Sequence, residues 1–367
     1  MNLQDYDYVL PDKNLALEPA VPRDSSKLFV YNTKTDEIIF DHFYNLDRYL
    51  PENSFMVMNN TKVLPARVTM KKQTGGKVVL LFLVNEQAGS SIRQTQDKRV
   101  KVMADRKITV GEKVFFDETN YLKIINQDEN IFDLEFDFSR EHLFSLLKKY
   151  GTMPIPPYLK KSTLKRDELL EKYQTIFAKT DGSAAAPTAS LHFTGDVFKK
   201  LDKKGIERYF VTLHVGMGTF APITTENLKE KKLHEEYYEV DKNLLKQVEI
   251  NRQSGKKLVA VGTTVVRTLE SSRSESVESV KSVKSVTDST DLTDLTNSTS
   301  LFIFPPYDFK LVDIMITNFH LPKSSLMMLV EAFLQFKGAK RSLVDLYNIA
   351  IKENFRFYSF GDAMVII

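Results

Sequence analysis

The chain is predicted to be an α/β main domain interrupted by an inserted all-β, barrel-like domain, and three observations carry that expectation. Over residues 63–136, short β-rich pieces are cut by polar turns. After Lys160, amphipathic stretches alternate with apolar runs. The first 60 residues add "KLFVYN" and "SFMVMNN", apolar pieces suited to the same sheet as the later runs. Residues 1–62 and 150–367 are therefore expected to form one discontinuous α/β domain, with 63–149 as the insertion.

The insertion begins with "VLPARVTM", "QTGG" and "KVVLLFLV", and continues through "RVKVMA", "KITVGEKVFF", "YLKIINQ" and "IFDLEF". Strands at this spacing, separated by turn residues, read as a small barrel or sandwich rather than βαβ units. A helix is expected next, capped by Ser139, with Glu141 in its first turn, Lys148 and Lys149 in its last, and Gly151 beyond its end. "MPIPPY" then enforces an extended segment, because the residue before a proline is pushed out of the helical region. Farther on, "STLKRDELLEKYQTIFA" and "DKNLLKQVEINRQSG" have helical periodicity, and "YFVTL" and "KLVAVG" read as strands. Their alternation argues a sheet covered on both faces. Residues 271–300, rich in Ser and Thr and poor in large apolar side chains, are expected to form a mobile loop, since they bury too little surface to offset ordering entropy.

Composition removes several function classes. With 367 residues and 42% apolar content, the chain has room for roughly two to three domains. The N-terminus has no basic start, and the longest apolar run, "VVLLFLV" at residues 78–84, is too short to span a bilayer. A cytoplasmic monomer without membrane association is expected. The chain has no cysteine, which excludes disulfides, thiol nucleophiles, thiolate metal sites and iron–sulfur clusters. A net charge of +3 from 51 basic and 48 acidic residues is too balanced to argue nucleic-acid binding by itself.

Candidate chemistry concentrates in four short stretches around histidines. The run "AAAPTASLHF" at 184–193 spends ten positions on mostly small side chains and presents His192, which suits a tight buried connection or a surface approached closely by a ligand. His214 lies in "TLHVGMGTF", His234 in "KLHEEYYEV" and His320 in "TNFHLPKSS"; His42 and His142 sit in ordinary amphipathic surroundings. Gly216, Gly218 and Ala221 match a dinucleotide-binding spacing after a strand, with Glu239 at the distance of a ribose-binding acid, so a nicotinamide-dependent oxidoreductase is a rival reading. Pro222 opposes it, standing where the nucleotide-binding helix should already be continuing. "VAVGTTVVRTLESS" places Gly262, Thr263 and Thr264 between a strand and a helix bearing Arg267, where free N–H groups suit a carboxylate or phosphate, although a well-capped turn has the same pattern. "LHEEYYEV" lacks a second histidine four residues on, which disfavours a zinc helix and leaves its acids to act as a general base or to bind hydroxyls. Lysine clusters around 148–149, 160–166 and 199–204 suit either a solvated face or a phosphate backbone.

Read together, "RDSSKLFVYN", "NTKVLPARV", "GSAAAPTASLHFT", "TLHVGMGTF", "HEEYYEV", "VGTTVVRTLES", "VDIMITNFHLPKSSLMMLV" and "FRFYSFGDAM" resemble, in order, the S-adenosylmethionine:tRNA ribosyltransferase-isomerases of queuosine synthesis. The resemblance runs over essentially the whole chain and implies an α/β domain interrupted by a β-barrel. It implies transfer and isomerisation of the ribosyl part of S-adenosylmethionine onto preQ1 at the wobble position of tRNA, giving epoxyqueuosine-tRNA, adenine and methionine. S-adenosylmethionine would be a co-substrate, with no bound cofactor or metal, and tRNA the partner. By the same resemblance, His192, His214, His320 and Asp362 become catalytic candidates, with Glu235 as a further candidate base. Arg23, Asp24, Asn60, Arg67, Thr188, Gly216, Gly218, Thr263, Thr264, Arg267 and Asn318 become substrate-binding candidates. Ser190 stands where glycine is usual before Leu-His-Phe. A non-catalytic RNA-binding module is the remaining alternative.

Overall fold

The computed structural model describes residues 2–84, 98–128, 130–216, 223–282 and 295–367. Six strands, Arg67–Lys72, Lys77–Leu83, Arg99–Ala104, Lys113–Phe115, Tyr121–Asp128 and Ile131–Glu135, close into an antiparallel barrel. Side chains alternate across each strand. In the first, Val68 and Met70 point inward while Arg67, Thr69 and Lys71 face water. Val78, Leu80, Phe82, Val100 and Val102 fill the interior, and Leu143 and Leu147 of the helix Arg140–Tyr150 pack against it. That helix starts as its sequence predicts, the Ser139 hydroxyl accepting the His142 N–H at 3.1 Å. Gly151 follows it for a different reason than a left-handed cap. Its φ is −78°, and a Cβ built there would lie 1.7 Å from the Pro65 carbonyl oxygen. The chain leaves the barrel so close to where it enters that only glycine fits.

The larger sheet has nine strands, in spatial order Leu295–Leu301, Lys232–Val240, Glu207–Leu213, Ser54–Asn59, Lys257–Val261, Ile314–Asn318, Ala363–Ile366, Lys27–Asn32 and Glu37–His42. The four from Glu207–Leu213 to Ile314–Asn318 run parallel. Every residue of Ser54–Asn59 and Ile314–Asn318 is buried, as strands covered on both faces must be. One face carries Phe55, Val57, Leu258 and Ala260 in the same core as Met327, Phe333 and Leu346 of the helices Ser325–Phe336 and Leu343–Lys352. The other carries Met56, Met58, Val259 and Ile316 with Val197 and Leu201 of the helix Gly195–Lys203. Truncating a side chain such as Phe55 to alanine would cost ~3–5 kcal/mol at such a site.

Two expectations need correction. Residues 271–300 are not simply a loop: the helix Thr263–Ser282 extends through the first part, and Leu295–Leu301 forms an edge strand antiparallel to Lys232–Val240, while 283–294 lie outside the described residues. Val265, Val266 and Leu269 anchor the start of the helix, and the hydroxyls of Ser271 and Thr299 meet at 2.6 Å in a buried setting. Small hydroxyl side chains thus join a helix to an edge strand that draws on ladder hydrogen bonds rather than apolar bulk. The helix expected over "STLKRDELLEKYQTIFA" is only Arg166–Lys172. Tyr173 turns fully inward, and the Gln174 side chain binds both backbone groups of Val63, at 2.7 and 3.1 Å, which stops the helix there. Among the described residues, no helix is long and apolar enough to cross a membrane.

Candidate active site

The four parallel strands end on one side of the sheet, and the residues just beyond their C-termini meet there, as ligand sites in such sheets do. A cavity of about 870 Å³, counting its open mouth, lies at this edge. Ala185, Ala186, Pro187, Thr188 and Ala189 form one wall, so the small-residue run borders the cavity closely. Thr263, Thr264, Arg267, Asn318 and His320 also line it, together with Glu236 and the rings of Tyr158, Tyr173 and Tyr358. Gly262, at the head of the Thr263–Ser282 helix, has φ +93°, and the left-handed turn it makes brings the helix start to the rim.

The three histidines differ in placement. His320 lines the cavity; its Nε2 is held by the Thr317 hydroxyl at 2.8 Å, and its Nδ1 has no hydrogen-bond partner among the described residues. His192 sits behind the wall. Its Nε2 lies 3.2 Å from Asn318 Nδ2 and its Nδ1 2.9 Å from the Ser26 hydroxyl. With the amide donating to Nε2, the ring proton is on Nδ1, and Asn318 Oδ1 is left buried at the cavity without a partner among the described residues. His214 is bound at Nδ1 by the Thr61 hydroxyl at 2.8 Å and flanks Val215, which lines the cavity. Burial pushes His192 and His320 down to about 3 and His214 to about 4; the Arg356 and Arg23 charges add to the effect at His192, while Asp181 opposes it at His214. All three are neutral at pH 7.

Buried opposite the helix start, Glu236 forms an ion pair with Arg267 and accepts the Gly216 N–H at 3.0 Å. Glu235, the expected base, is exposed and takes a hydrogen bond from the Ser298 hydroxyl. In the strand Lys232–Val240, residues 236, 238 and 240 are the buried set, so a shift of one residue moves the carboxylate to the opposite face. Reading inward from Tyr238 and Val240 would have found it. Asn59 was also missed: its amide accepts the N–H groups of Leu213 and Thr61, both at 3.1 Å, and donates to the Leu213 carbonyl at 2.9 Å and Thr264 Oγ1 at 3.3 Å. It ties three strand ends to the cavity, and a buried polar residue ending an apolar strand is its sequence signal.

Other candidates lie away from the cavity lining. Asp362 is buried with its carboxylate occupied by the Lys27 and Arg356 N–H groups, at 3.1 and 2.8 Å, and by the Arg356 guanidinium, at 3.0 and 3.2 Å. Those donors leave it a turn anchor that holds Arg356 rather than a proton acceptor at the cavity. Arg23 donates to the carbonyls of Gln174 and Glu171, Asp24 accepts from the Thr194 hydroxyl at 2.7 Å, and Asn60 accepts from the Thr212 hydroxyl at 2.7 Å. Arg67 is exposed on the barrel beside Thr152. Gly218 lies outside the described residues. Ser190, next to the cavity wall, has a buried hydroxyl with no partner among the described residues. No group of three or more His, Asp and Glu among the described residues is placed to hold a metal ion.

Topology excludes the dinucleotide reading. The strand before Gly216 pairs antiparallel with the strand that bears Glu239, Thr212 lying opposite Glu239 itself. A dinucleotide unit needs those two strands parallel, with a helix crossing between them.

The model of the queuosine biosynthesis protein family matches residues 3–366. The chain belongs to that family. A relative from Thermosipho melanesiensis, named S-adenosylmethionine:tRNA ribosyltransferase-isomerase, is 42% identical, with all of both chains covered. Relatives of the same name from Carboxydothermus hydrogenoformans and Sulfurihydrogenibium are 40% and 38% identical, again over the full length of both chains. A crystal structure of an S-adenosylmethionine tRNA ribosyltransferase from Thermotoga maritima shares the fold with a TM-score of 0.52 and 29% identity, covering 99% of this chain and 100% of that one. In this queuosine-family chain, six of the eight stretches that carried the resemblance contribute residues to the cavity lining, and Tyr158 and Tyr173 join them from outside those stretches.

Proposed function

We propose that this protein transfers the ribosyl part of S-adenosylmethionine to the preQ1 base at the wobble position of a tRNA and isomerises it to the epoxide-bearing ring, releasing adenine and methionine. The observation that carries the reading is the cavity itself. In a chain of the queuosine family, a wall of small residues at 185–189 gives a flat base or nucleoside room to lie, and His320, Asn318, Arg267 and Glu236 present polar groups to it.

The donor's sulfonium supplies the reactivity, because its positive charge acidifies the adjacent ribose C5′ protons. A neutral base is needed beside them, and with its ring proton on Nε2 donated to Thr317 Oγ1, His320 offers at the cavity wall an Nδ1 lone pair that has no partner among the described residues. Holding its pKa near 3 keeps it unprotonated at pH 7. Protonating it there costs about 5 kcal/mol, a demand that an enzymatic barrier accommodates and that a neighbouring carbanion lowers. Asn318, fixed by His192, presents Oδ1 as an acceptor for a substrate N–H or O–H. His192 and His214 act as positioning residues behind the wall. Residues 1–62 and 150–367 form the catalytic domain in this reading, with 63–149 as the inserted barrel. Lys160, Lys161 and Lys165 are exposed on the segment whose Tyr158 and Tyr173 line the cavity, which suits the phosphates of an anticodon arm. A tRNA substrate supports a cytoplasmic location in this reading.

The test is adenine release from S-adenosylmethionine in the presence of preQ1-containing tRNA. Binding of that tRNA without adenine release would overturn the enzyme reading.

A further inference from the structure

We infer that the Arg267–Glu236 pair is a clamp for the α-amino-acid end of the sulfonium donor, Arg267 receiving its carboxylate and Glu236 its ammonium. The inference rests on the reading of S-adenosylmethionine as donor and assigns the part of the cavity that takes its methionine moiety.

Both side chains are buried, with Arg267 5% and Glu236 3% exposed, yet both line the cavity and a second, smaller hollow beside it of about 370 Å³ counting its open mouth. A buried ion pair is a poor device for stability alone, since apolar residues of similar volume usually do as well or better. A charged pair at a cavity wall therefore calls for a ligand of matching charge. Of Arg267's five N–H groups, Nε donates to the Leu301 carbonyl at 3.2 Å, Nη1 to Glu236 and Nη2 to the Thr299 carbonyl at 3.4 Å. Two are left without a protein acceptor among the described residues, and a planar guanidinium is the group best shaped to offer two donors to a carboxylate. Glu236 is anchored by the Gly216 N–H, so it keeps its place when Arg267 turns part of its charge toward a ligand.

An α-amino acid carries its carboxylate and ammonium on one carbon, with no net charge between them. A guanidinium and a carboxylate in contact have the same property, so docking one on the other buries no unbalanced charge. Val215 and Leu326, which also line the cavity, give the donor's methylenes apolar surface, and the rings of Tyr158 and Tyr358 offer π faces to a sulfonium. Thr263 and Thr264 hold the start of the helix that carries Arg267 at the same rim, which fixes the guanidinium relative to the small-residue wall.

Equilibrium dialysis with the full-length protein, with and without a preQ1-bearing anticodon stem-loop, tests the clamp on three probes. These are S-adenosylmethionine, its decarboxylated analogue and its deaminated analogue. The unaltered protein is expected to bind each analogue ~10–100-fold more weakly, the range for losing one charge-assisted contact. The double variant Arg267→Met, Glu236→Gln, which leaves no unpaired buried charge, should bind all three within a few-fold of one another. Equal binding of S-adenosylmethionine and both analogues by the unaltered protein would overturn the clamp and leave the donor reading standing. No binding of S-adenosylmethionine under either condition would overturn both.

Discussion

Acidifying the protein from pH 7 to pH 5 is expected to lower its unfolding free energy by ~2 kcal/mol for each of His192, His214 and His320, or ~6 kcal/mol together. Burial holds their folded-state values near 3, 4 and 3, whereas an unfolded histidine titrates near 6.5. Their contribution to stability is whole above pH 6.5 and is lost as pH falls from there toward the folded values. At pH 5 the unfolded chain holds nearly one proton per imidazole that the folded chain does not. The carboxylates lowered in the fold, Asp41 and Asp117 among them, titrate in the unfolded chain near 4 and so act mostly below this window. The network sharpens the effect at His192: protonating Nε2 would set its N–H against the Asn318 amide N–H 3.2 Å away. Urea midpoints at pH 7, 6 and 5 measure the loss, followed by far-UV circular dichroism because the chain has no tryptophan. A His192→Gln variant should be less stable at pH 7 yet lose ~2 kcal/mol less on going to pH 5. If its stability fell in parallel with that of the unaltered protein, His192 would not be held neutral by the fold.

Glu236→Gln should destabilise the protein by ~3–5 kcal/mol by leaving Arg267 buried and unpaired, whereas Glu235→Gln on the opposite face should stay within ~0.5 kcal/mol; paired thermal melts separate the two. Ser190→Ala removes a buried hydroxyl that has no partner among the described residues and should gain ~1 kcal/mol, read as a raised Tm. Asn318→Ala should reduce the rate of adenine release by about tenfold or more through loss of the Oδ1 acceptor, and Asn318→Asp, which keeps an oxygen there, should lose less; equal losses would place the effect in the His192 contact instead. Replacing Lys160 and Lys161 by glutamate should weaken tRNA binding and flatten its log–log salt dependence by about 2, with little change in the affinity for S-adenosylmethionine.

Local physics made much of the architecture legible. Two-residue alternation and turn residues marked the barrel, and its closing helix was readable from Ser139, Glu141, Lys148 and Lys149 because caps and terminal charges act within a few residues of their source. The readings that failed each depended on a distant partner. Nothing local distinguishes Gly151 as a close-approach glycine, because the obstructing atom is the Pro65 carbonyl across the barrel junction. The Ser/Thr-rich stretch counted as disorder until the edge of the sheet supplied a ladder for it. Site residue types were legible and their geometry was not. The histidines, Thr263, Thr264, Arg267 and Asn318 stood out by motif, but Asp362 proved to be bound to Arg356, and Glu235 faced water while its neighbour faced the cavity.

By itself, then, the sequence determined the fold class, the family and the set of side chains available for chemistry. The tertiary structure alone decided which of them share a cavity, because that depends on strand register and on which four strands run parallel. Both are set by pairings between residues far apart in the chain, such as Phe55 with Glu207 and Leu258, and Val259 with Ile314. A one-residue change in any of those registers would move a strand's side chains from one covered face of the sheet to the other and take the site's residues out of register.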